Sequence, residues 1–411
     1  MNIHHKREKC RACGGSRVRR FLALGPTPLA NGFLKNADEF KTERSYPLDV
    51  YFCETCSLVQ LLDVIDKETL FRNYIYVTGT SDTIAQHNIQ YASNVIELLE
   101  LSARDLVVEI ASNDGSLLQR FQERGVKTLG IEPANNIAAI ASSKGIVTLG
   151  DFFSTPTARK ARESHGPAKA VIANNVLAHV DDPQDFLAGC KHLLAPDGLV
   201  IIEVPYLGEL IDRLEYDTVY HEHLCYFSTT ALIRLCDAVG LSLVRIDRVA
   251  VHGGSLRFYA CNKEGYHAEH VLDLAAREKS AGITSLTRLE RFAKDVEESR
   301  HNLRALLIEL KEKGHSVAGY GAPAKGNTLL NYCKIDTRLL PYTVDKNPMK
   351  VNLFTPGMHI PVLAPETLLE RQPMYVLLLA WNFADEIMRQ QHEYRRRGGR
   401  FILPLPKAQV V

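Results

Sequence analysis

The sequence predicts an α/β protein in three parts: a small metal-stapled N-terminal domain, a doubly wound parallel sheet, and a second, smaller Rossmann-like domain. Three observations carry this. Two C-x-x-C pairs fall within the first 56 residues. From about Ser81, short apolar strands alternate with helices, several of which end in glycine. The alternation gives way to a charged helical stretch and then resumes near residue 315. A chain of 411 residues exceeds one ordinary core, and the expected boundaries are 1–68, 69–267 and 268–411.

Composition excludes several classes. With 49 Lys+Arg against 48 Asp+Glu, there is no electrostatic footprint for nucleic acid or an anionic membrane surface. The longest apolar runs, such as LLAPDGLVIIEVP, are broken by Pro, Gly or charge well short of a transmembrane span. The opening MNIHHKREKCRACGG has no apolar core of a secretory signal. Four of the nine cysteines form the two pairs and five are scattered. That suits a reducing cytoplasm and one metal site rather than a disulfide framework.

The elements follow in order. The first segment is rich in Cys, Pro and Gly, and its best strand signal is YPLDVYFCETCSLVQLL. Cys10, Cys13, Cys53 and Cys56 supply four sulfurs on two tight turns, the ligand set of a closed structural zinc site. A segment this small needs such a staple; two unrelated thiol pairs or a redox disulfide is the alternative. DTIAQHNIQYASNVIELLEL then has helical periodicity. Strands follow at DLVVEIASNDG, VKTLGIEPA, IVTLGDFF, AKAVIANNVLAHV and LVIIEVP, with helices between them. A long polar, aromatic stretch, GELIDRLEYDTVYHEHLCYFS, interrupts the pattern, and such insertions at sheet ends usually carry function. A helix and two antiparallel strands come next. Residues 268–312 read as an amphipathic connector, and the last domain opens with HSVAGYGAPAKGNTLLNYC.

In a doubly wound sheet the first strand–helix turn is where a nucleotide-like cofactor sits. Here that turn is VVEIASNDGSLL, with Glu109, Ser112, Asn113, Asp114 and Gly115. Ala111 and Asn113 stand where a pyrophosphate-binding G-x-G-x-x-G has glycines, so a dinucleotide fits poorly. A methyl donor has no pyrophosphate and does not need that approach. Glu132, followed by Pro133, ends the second strand 23 residues after Glu109 and can take ribose hydroxyls. Asp151 and Phe152 can frame an adenine. Glu132 and Asp151 are also placed simply to cap the following helices.

EIASNDGSLL, LGIEPA, GDFF, ANNVLAHVDDPQDFL and LLAPDGLVIIEVPYL together resemble the class I S-adenosylmethionine-dependent methyltransferases, a likeness that brings Asn174 into the cofactor set. With the four-cysteine segment, YDTVYHEHLCYFS and GYGAPAKGNTLLNY…VDKNP…TPGMHIPV, the chain resembles the nucleotide-sugar 3-C-methyltransferases of deoxysugar biosynthesis. The likeness spans essentially the whole chain. It implies S-adenosyl-L-methionine and structural zinc as cofactors, and a dTDP- or GDP-linked 4-keto-6-deoxyhexose as substrate. In Tyr220-His221-Glu222-His223 it implies His223 as base, Glu222 as the group that orients or tunes it, and Tyr220 as a positioning or enolate-stabilising phenol. It further implies roles for Tyr74 and His179. The residues argue for His179 independently, because it ends a parallel strand, where sheets host ligands. Phe71 and Tyr76 crowd Tyr74, which leaves core packing open there. A metal at His221-x-His223 would need a third ligand.

Gly321, Lys325 and Asn327, on a glycine-rich turn opening a helix, suit the substrate's diphosphate; a purely structural turn is the alternative. Asn31, in LANGFL, is a further substrate contact candidate. The expectation is a cytoplasmic, monomeric methyltransferase that adds methyl to C3 of the ketosugar through an enolate. The alternatives are an NAD-dependent nucleotide-sugar oxidoreductase, against which the broken glycine fingerprint stands, and a non-catalytic nucleotide-sugar binding protein, which would have no use for a base.

Overall fold

In the computed structural model the described residues are 3–72, 82–249 and 254–411. Tyr74 lies outside them. The chain forms two compact units, each assembled from separated stretches. One comprises Met1–Arg19, Phe52–Leu207 and Leu224–Thr284; the other comprises Arg20–Tyr51, Gly208–His223 and Ser285–Val411. These do not follow the three consecutive blocks expected from the sequence. The second unit takes in both the LANGFL segment and the YHEH motif.

The first unit is built on seven strands: β1 (Leu106–Ile110), β2 (Lys127–Ile131), β3 (Thr148–Leu149), β4 (Ala168–Asn174), β5 (Leu194–Pro205), β6 (Ser242–Val249) and β7 (Ser255–Cys261). Their order in the sheet is β3-β2-β1-β4-β5-β7-β6. β1 to β5 are parallel, and β7 pairs antiparallel with both β5 and β6. β1 is buried at all five positions, as expected for a strand covered on both faces. Helix α1 (Asp82–Leu99) lays Tyr91, Ala92 and Val95 on this core, against Val107, Phe121 and Ile201. Helices α2 (Ser116–Gln122), α3 (Asn135–Ser143), α4 (Thr155–His165) and α5 (Pro183–Leu193) form the crossovers. The starts of α4 and α5 are set locally, by Ser154 accepting from the Thr157 N–H and Asp182 from the Asp185 N–H, each with proline in the first turn. GDFF, expected inside a strand, lies beyond the two-residue β3. α6 (Thr229–Val239) ends at Gly240, in the left-handed region.

The charged stretch read as a connector divides between the units. α7 (Glu269–Ser280) belongs to the first, where the Glu278 carboxylate accepts from the Thr229 and Thr230 N–H groups and so caps α6. α8 (Leu286–Glu312) belongs to the second. It buries Leu289, Phe292, Val296, Ser299, Leu303, Leu307 and Leu310, a continuous stripe at three- and four-residue spacing. α8 is therefore a packing helix, whose charges occupy the other face.

The second unit's sheet comprises β8 (Val317–Tyr320), β9 (Thr343–Val344), β10 (Val362–Leu363), β11 (Tyr375–Leu378), β12 (Arg400–Leu403) and β13 (Gln409–Val410), in the order β10-β9-β8-β11-β12-β13. All are parallel except β13. The strand order reverses between β8 and β11, where ligands enter such sheets. Helix α9 (Ala324–Cys333) follows β8. Among the described residues, no helix is long and apolar enough to cross a membrane.

Candidate functional site

In the first unit, Cys10, Cys13, Cys53 and Cys56 place their sulfurs within 4.8 Å of one another. Cys10–Cys56 and Cys13–Cys53 are 3.5 and 3.6 Å apart. A tetrahedral zinc with Zn–S bonds of about 2.3 Å requires sulfurs roughly 3.8 Å apart, so the cage fits the ion. The two knuckles are built alike. Gly14 N–H donates to the Cys10 carbonyl and Ser57 N–H to the Cys53 carbonyl, with Gly14 and Ser57 both left-handed (φ 69° and 63°). Buried Gln60 donates to the Cys10 sulfur at 3.0 Å. Four sulfurs leave no open coordination position, so the metal is structural.

The turn after β1 is the one the sequence singles out for a cofactor. Ala111 and Asn113 sit at φ 52° and 50°, the left-handed positions where a glycine fingerprint has glycine. Gly115 follows at φ 73°. The turn is held to β2 by Glu132, whose Oε2 accepts from Asn113 N–H at 2.9 Å and Oε1 from Ala134 N–H at 2.8 Å. Burial raises the Glu132 carboxyl, and those two N–H groups pull it down. Asp114 is paired with Lys144 at 2.7 Å. Among the described residues, four buried polar atoms here have no partner: Glu109 Oε2, Ser112 Oγ, Asn174 Oδ1 and Asn175 Oδ1. They cluster at the C-terminal ends of β1 and β4, where a donor's polar groups would satisfy them. The Glu109 carboxyl is pushed well up, chiefly by burial and then by Asp114 and Glu132. Asp151 is exposed and accepts from the Phe152 N–H at 2.8 Å. The Phe152 ring is flanked by Lys67 and Arg72, at 4.5 and 4.8 Å. Pro133 offers its carbonyl to Arg72. His179 closes a single 3-10 turn after β4 and meets the edge of Phe71.

Sequence reasoning missed one charged cluster in this unit. Glu203, deep in β5, accepts from Arg257 Nε at 2.6 Å and from His87 at about 3.2–3.3 Å. Arg257 stacks on Tyr91 at 4.2 Å. Burial opposes the charged form of Glu203, but His87 and Arg257 hold its carboxyl below the ordinary range. The signal was an acid inside LVIIEVP and an arginine inside SLRFYAC, each in an otherwise apolar strand.

The second unit gathers the YHEH motif, Asn31 and the glycine-rich turn. His223 Nδ1–H donates to the Thr218 carbonyl at 2.9 Å. A carbonyl can only accept, so in neutral His223 the lone pair is on Nε2. There the Tyr220 hydroxyl donates to it at 2.8 Å. Both nitrogens of the ring are thus assigned. His221 is buried, donates from Nε2 to the Pro47 carbonyl at 3.1 Å and lies edge-on to Tyr46. It anchors the motif. Glu222 Oε1 accepts from Asn31 at 2.7 Å, which brings together two residues 191 positions apart.

Gly321, Lys325 and Asn327 divide in their surroundings. A Cβ on Gly321 would lie 2.9 Å from Ala380 Cβ, and one on Gly326 would lie 2.8 Å from Leu379 Cβ. Both glycines let α9 approach the end of β11. Asn327 is buried and donates to the Ala30 carbonyl at 2.7 Å. Lys325 lies 5.3 Å from the Trp381 ring centre, with buried Asp217 and Glu215 as its charged neighbours. The cation beside Glu222 is instead Lys350. It donates to the Ala322 carbonyl at 2.9 Å and lies 5.3 Å from the Phe33 ring. Burial lowers its ammonium, against the pull of Asp345 and Glu222.

The strand order, the antiparallel β7 and the unsatisfied polar groups at the sheet edge define a class I S-adenosylmethionine-dependent methyltransferase with a zinc-binding N-terminal segment. Family models match as a zinc binding domain over residues 10–71, a methyltransferase domain over 85–246 and a C-methyltransferase C-terminal domain over 250–406. The C-methyltransferase NovU of Streptomyces niveus is 36% identical over 406 residues, 98% of this chain and 97% of its own. The chain belongs to the C-methyltransferase family that includes NovU. A ubiquinone biosynthesis O-methyltransferase of Burkholderia pseudomallei is 22% identical over 174 residues, 38% of this chain and 72% of its own. A solved methyltransferase from Clostridium acetobutylicum aligns with 45% of this chain and 94% of its own, at 10% identity and a TM-score of 0.35, too low to add to the assignment.

Proposed function

We propose that the protein C-methylates C3 of a nucleotide-linked 4-keto-6-deoxyhexose, with His223 as general base. The observation that carries this is the fixed His223 ring, whose Nε2 lone pair is turned toward the Tyr220 hydroxyl. Proton abstraction beside a ketone needs a neutral imidazole lone pair and a nearby O–H donor for the enolate oxygen. Tyr220 and His223 supply both. His223 takes the C3 proton, the C–H electrons form a C3–C4 double bond as the carbonyl π pair moves onto the ketone oxygen, and Tyr220 turns its O–H to that oxygen. C3 then takes the methyl group, which S-adenosylmethionine supplies when bound. In the first unit Glu109, Ser112, Glu132 and Asn174 hold the donor, with Asp151 and Phe152 at the adenine. In the second, Asn31, Glu222 and Lys350 hold the sugar nucleotide. His179 and Tyr74 are further candidates for positioning the sugar. A thiolate zinc site and five further free cysteines suit a reducing cytoplasm.

Exchange of the substrate's C3 proton with heavy water tests this without methyl transfer. His223→Ala should lose on the order of 10²–10⁴ in exchange rate, while His221→Ala keeps exchange in whatever fraction folds. Wild-type exchange in His223→Ala, with loss in His221→Ala or His179→Ala, would move the base to that other residue.

A further inference from the structure

We propose that Trp381 and Asp217 are positioning residues for the His223 base: the Trp381 indole, through the Asp217 carboxylate, fixes the Thr218 carbonyl that decides which imidazole nitrogen carries the proton. This rests on the assignment of His223 above. Trp381 is the chain's single tryptophan. It follows β11 at the point where the strand order reverses, and its Nε1–H donates to Asp217 Oδ2 at 2.6 Å. Asp217 lies in one 3-10 turn, Tyr216–Thr218, and its side chain is fully buried. The other carboxylate oxygen, Oδ1, is buried with no hydrogen-bond partner among the described residues, and the carboxylate's remaining polar support is the nearby Asp217 and Thr218 backbone N–H groups. An acid in that setting is costly to keep, and packing alone would be served better by an apolar residue.

The next residue gives the acid a task. The Thr218 carbonyl accepts His223 Nδ1–H at 2.9 Å. That carbonyl belongs to the planar Thr218–Val219 peptide, whose N–H donates to the Tyr216 carbonyl at 3.0 Å and closes the 3-10 turn around Asp217. Anchoring the Asp217 side chain holds this turn, and the turn sets the direction of the carbonyl. The role of an imidazole nitrogen is set by the hydrogen bond that the other nitrogen makes. A ring that loses its Nδ1 acceptor can carry its proton on Nε2, and then no lone pair faces Tyr220. Lys325, beside the Trp381 ring, completes the device. Burial raises the Asp217 carboxyl, and Lys325 and Trp381 oppose that rise. A C-terminal strand end thus sets the protonation geometry of a residue 158 positions earlier.

Trp381→Phe keeps the half-buried ring and removes the N–H. In the full-length protein with 15N-labelled histidine, His223 should pass from Nδ1–H alone to a mixture of tautomers. C3 exchange should fall about three- to tenfold, the weight of one hydrogen bond, with KM for the nucleotide sugar within about twofold. Asp217→Asn, which keeps an acceptor for the indole, should retain the wild-type tautomer, and Asp217→Leu should not. An unchanged tautomer and unchanged exchange in Trp381→Phe overturn the proposal, even if Asp217→Leu fails to fold. In that case lost exchange in His223→Ala leaves the base assignment standing. Retained exchange in His223→Ala overturns the base assignment itself.

Discussion

Glu132 is a side chain whose place in the fold leaves room for the ligand role proposed for it. Its two oxygens already accept backbone N–H groups from the first turn and from the start of α3. Each carboxylate oxygen has a second lone pair, so ribose hydroxyls can still be taken. Glu132→Ala should weaken S-adenosylmethionine binding by about 1–3 kcal/mol, the loss of hydrogen bonds to a charged acceptor. Calorimetry giving wild-type affinity would remove Glu132 from the donor site. At this scale the sequence was legible where a residue's type is itself the chemistry, as in the four cysteines whose sulfurs gather within 4.8 Å. It was not legible where a role depends on who answers across the fold. Lys350 and Trp381 carry no local pattern, and Lys325, which does, has buried acids as its charged neighbours.

The strands and crossover helices of both sheets were legible because alternating apolar runs and glycine stops are local signals. The short third strand and the division of the charged stretch were not. α8 announces its apolar stripe in the sequence, but its partners lie in distant segments, so its allegiance could not be read. One element-level feature does have a local signature. Gly130 sits within β2 where a Cβ would meet Ser112 Oγ at 2.5 Å and Ser112 Cβ at 3.1 Å. The second strand can lie against the first turn only without a side chain. Gly130→Ala should force that turn outward and destabilise the protein by about 1–3 kcal/mol. It should also weaken donor binding in parallel. Thermal melts with and without S-adenosylmethionine would show both, and a melt equal to wild type in each condition would mean that the turn shifts at no cost.

For the molecule as a whole, zinc is the staple that composition alone demanded of the N-terminal segment. Freshly purified, reduced protein should carry about one zinc per chain. Cys53→Ser should lose the metal and destabilise the N-terminal segment by several kcal/mol, on the order expected of a structural site. Elemental analysis finding no zinc would refute the site. Linear boundaries were expected because a sequence is read in one direction. The second unit ignores that direction: Asn327 bonds Ala30 across 297 positions, and His359 pairs with Glu43 across 316. Hydrophobic patterning marks where an element is, not which distant stretch it will join.

That interleaving has a consequence for the chain as it is made. A ribosome adds about 5–20 residues per second, so Ala30 and Glu43 emerge roughly 15–60 s before Asn327 and His359, their distant partners. Until then the early segment can make only its local pairings, such as Thr27 with Tyr46. The long-range contacts of this unit can form only after its later strands emerge, so the early segment is expected to wait on them and to be a client for a chaperone.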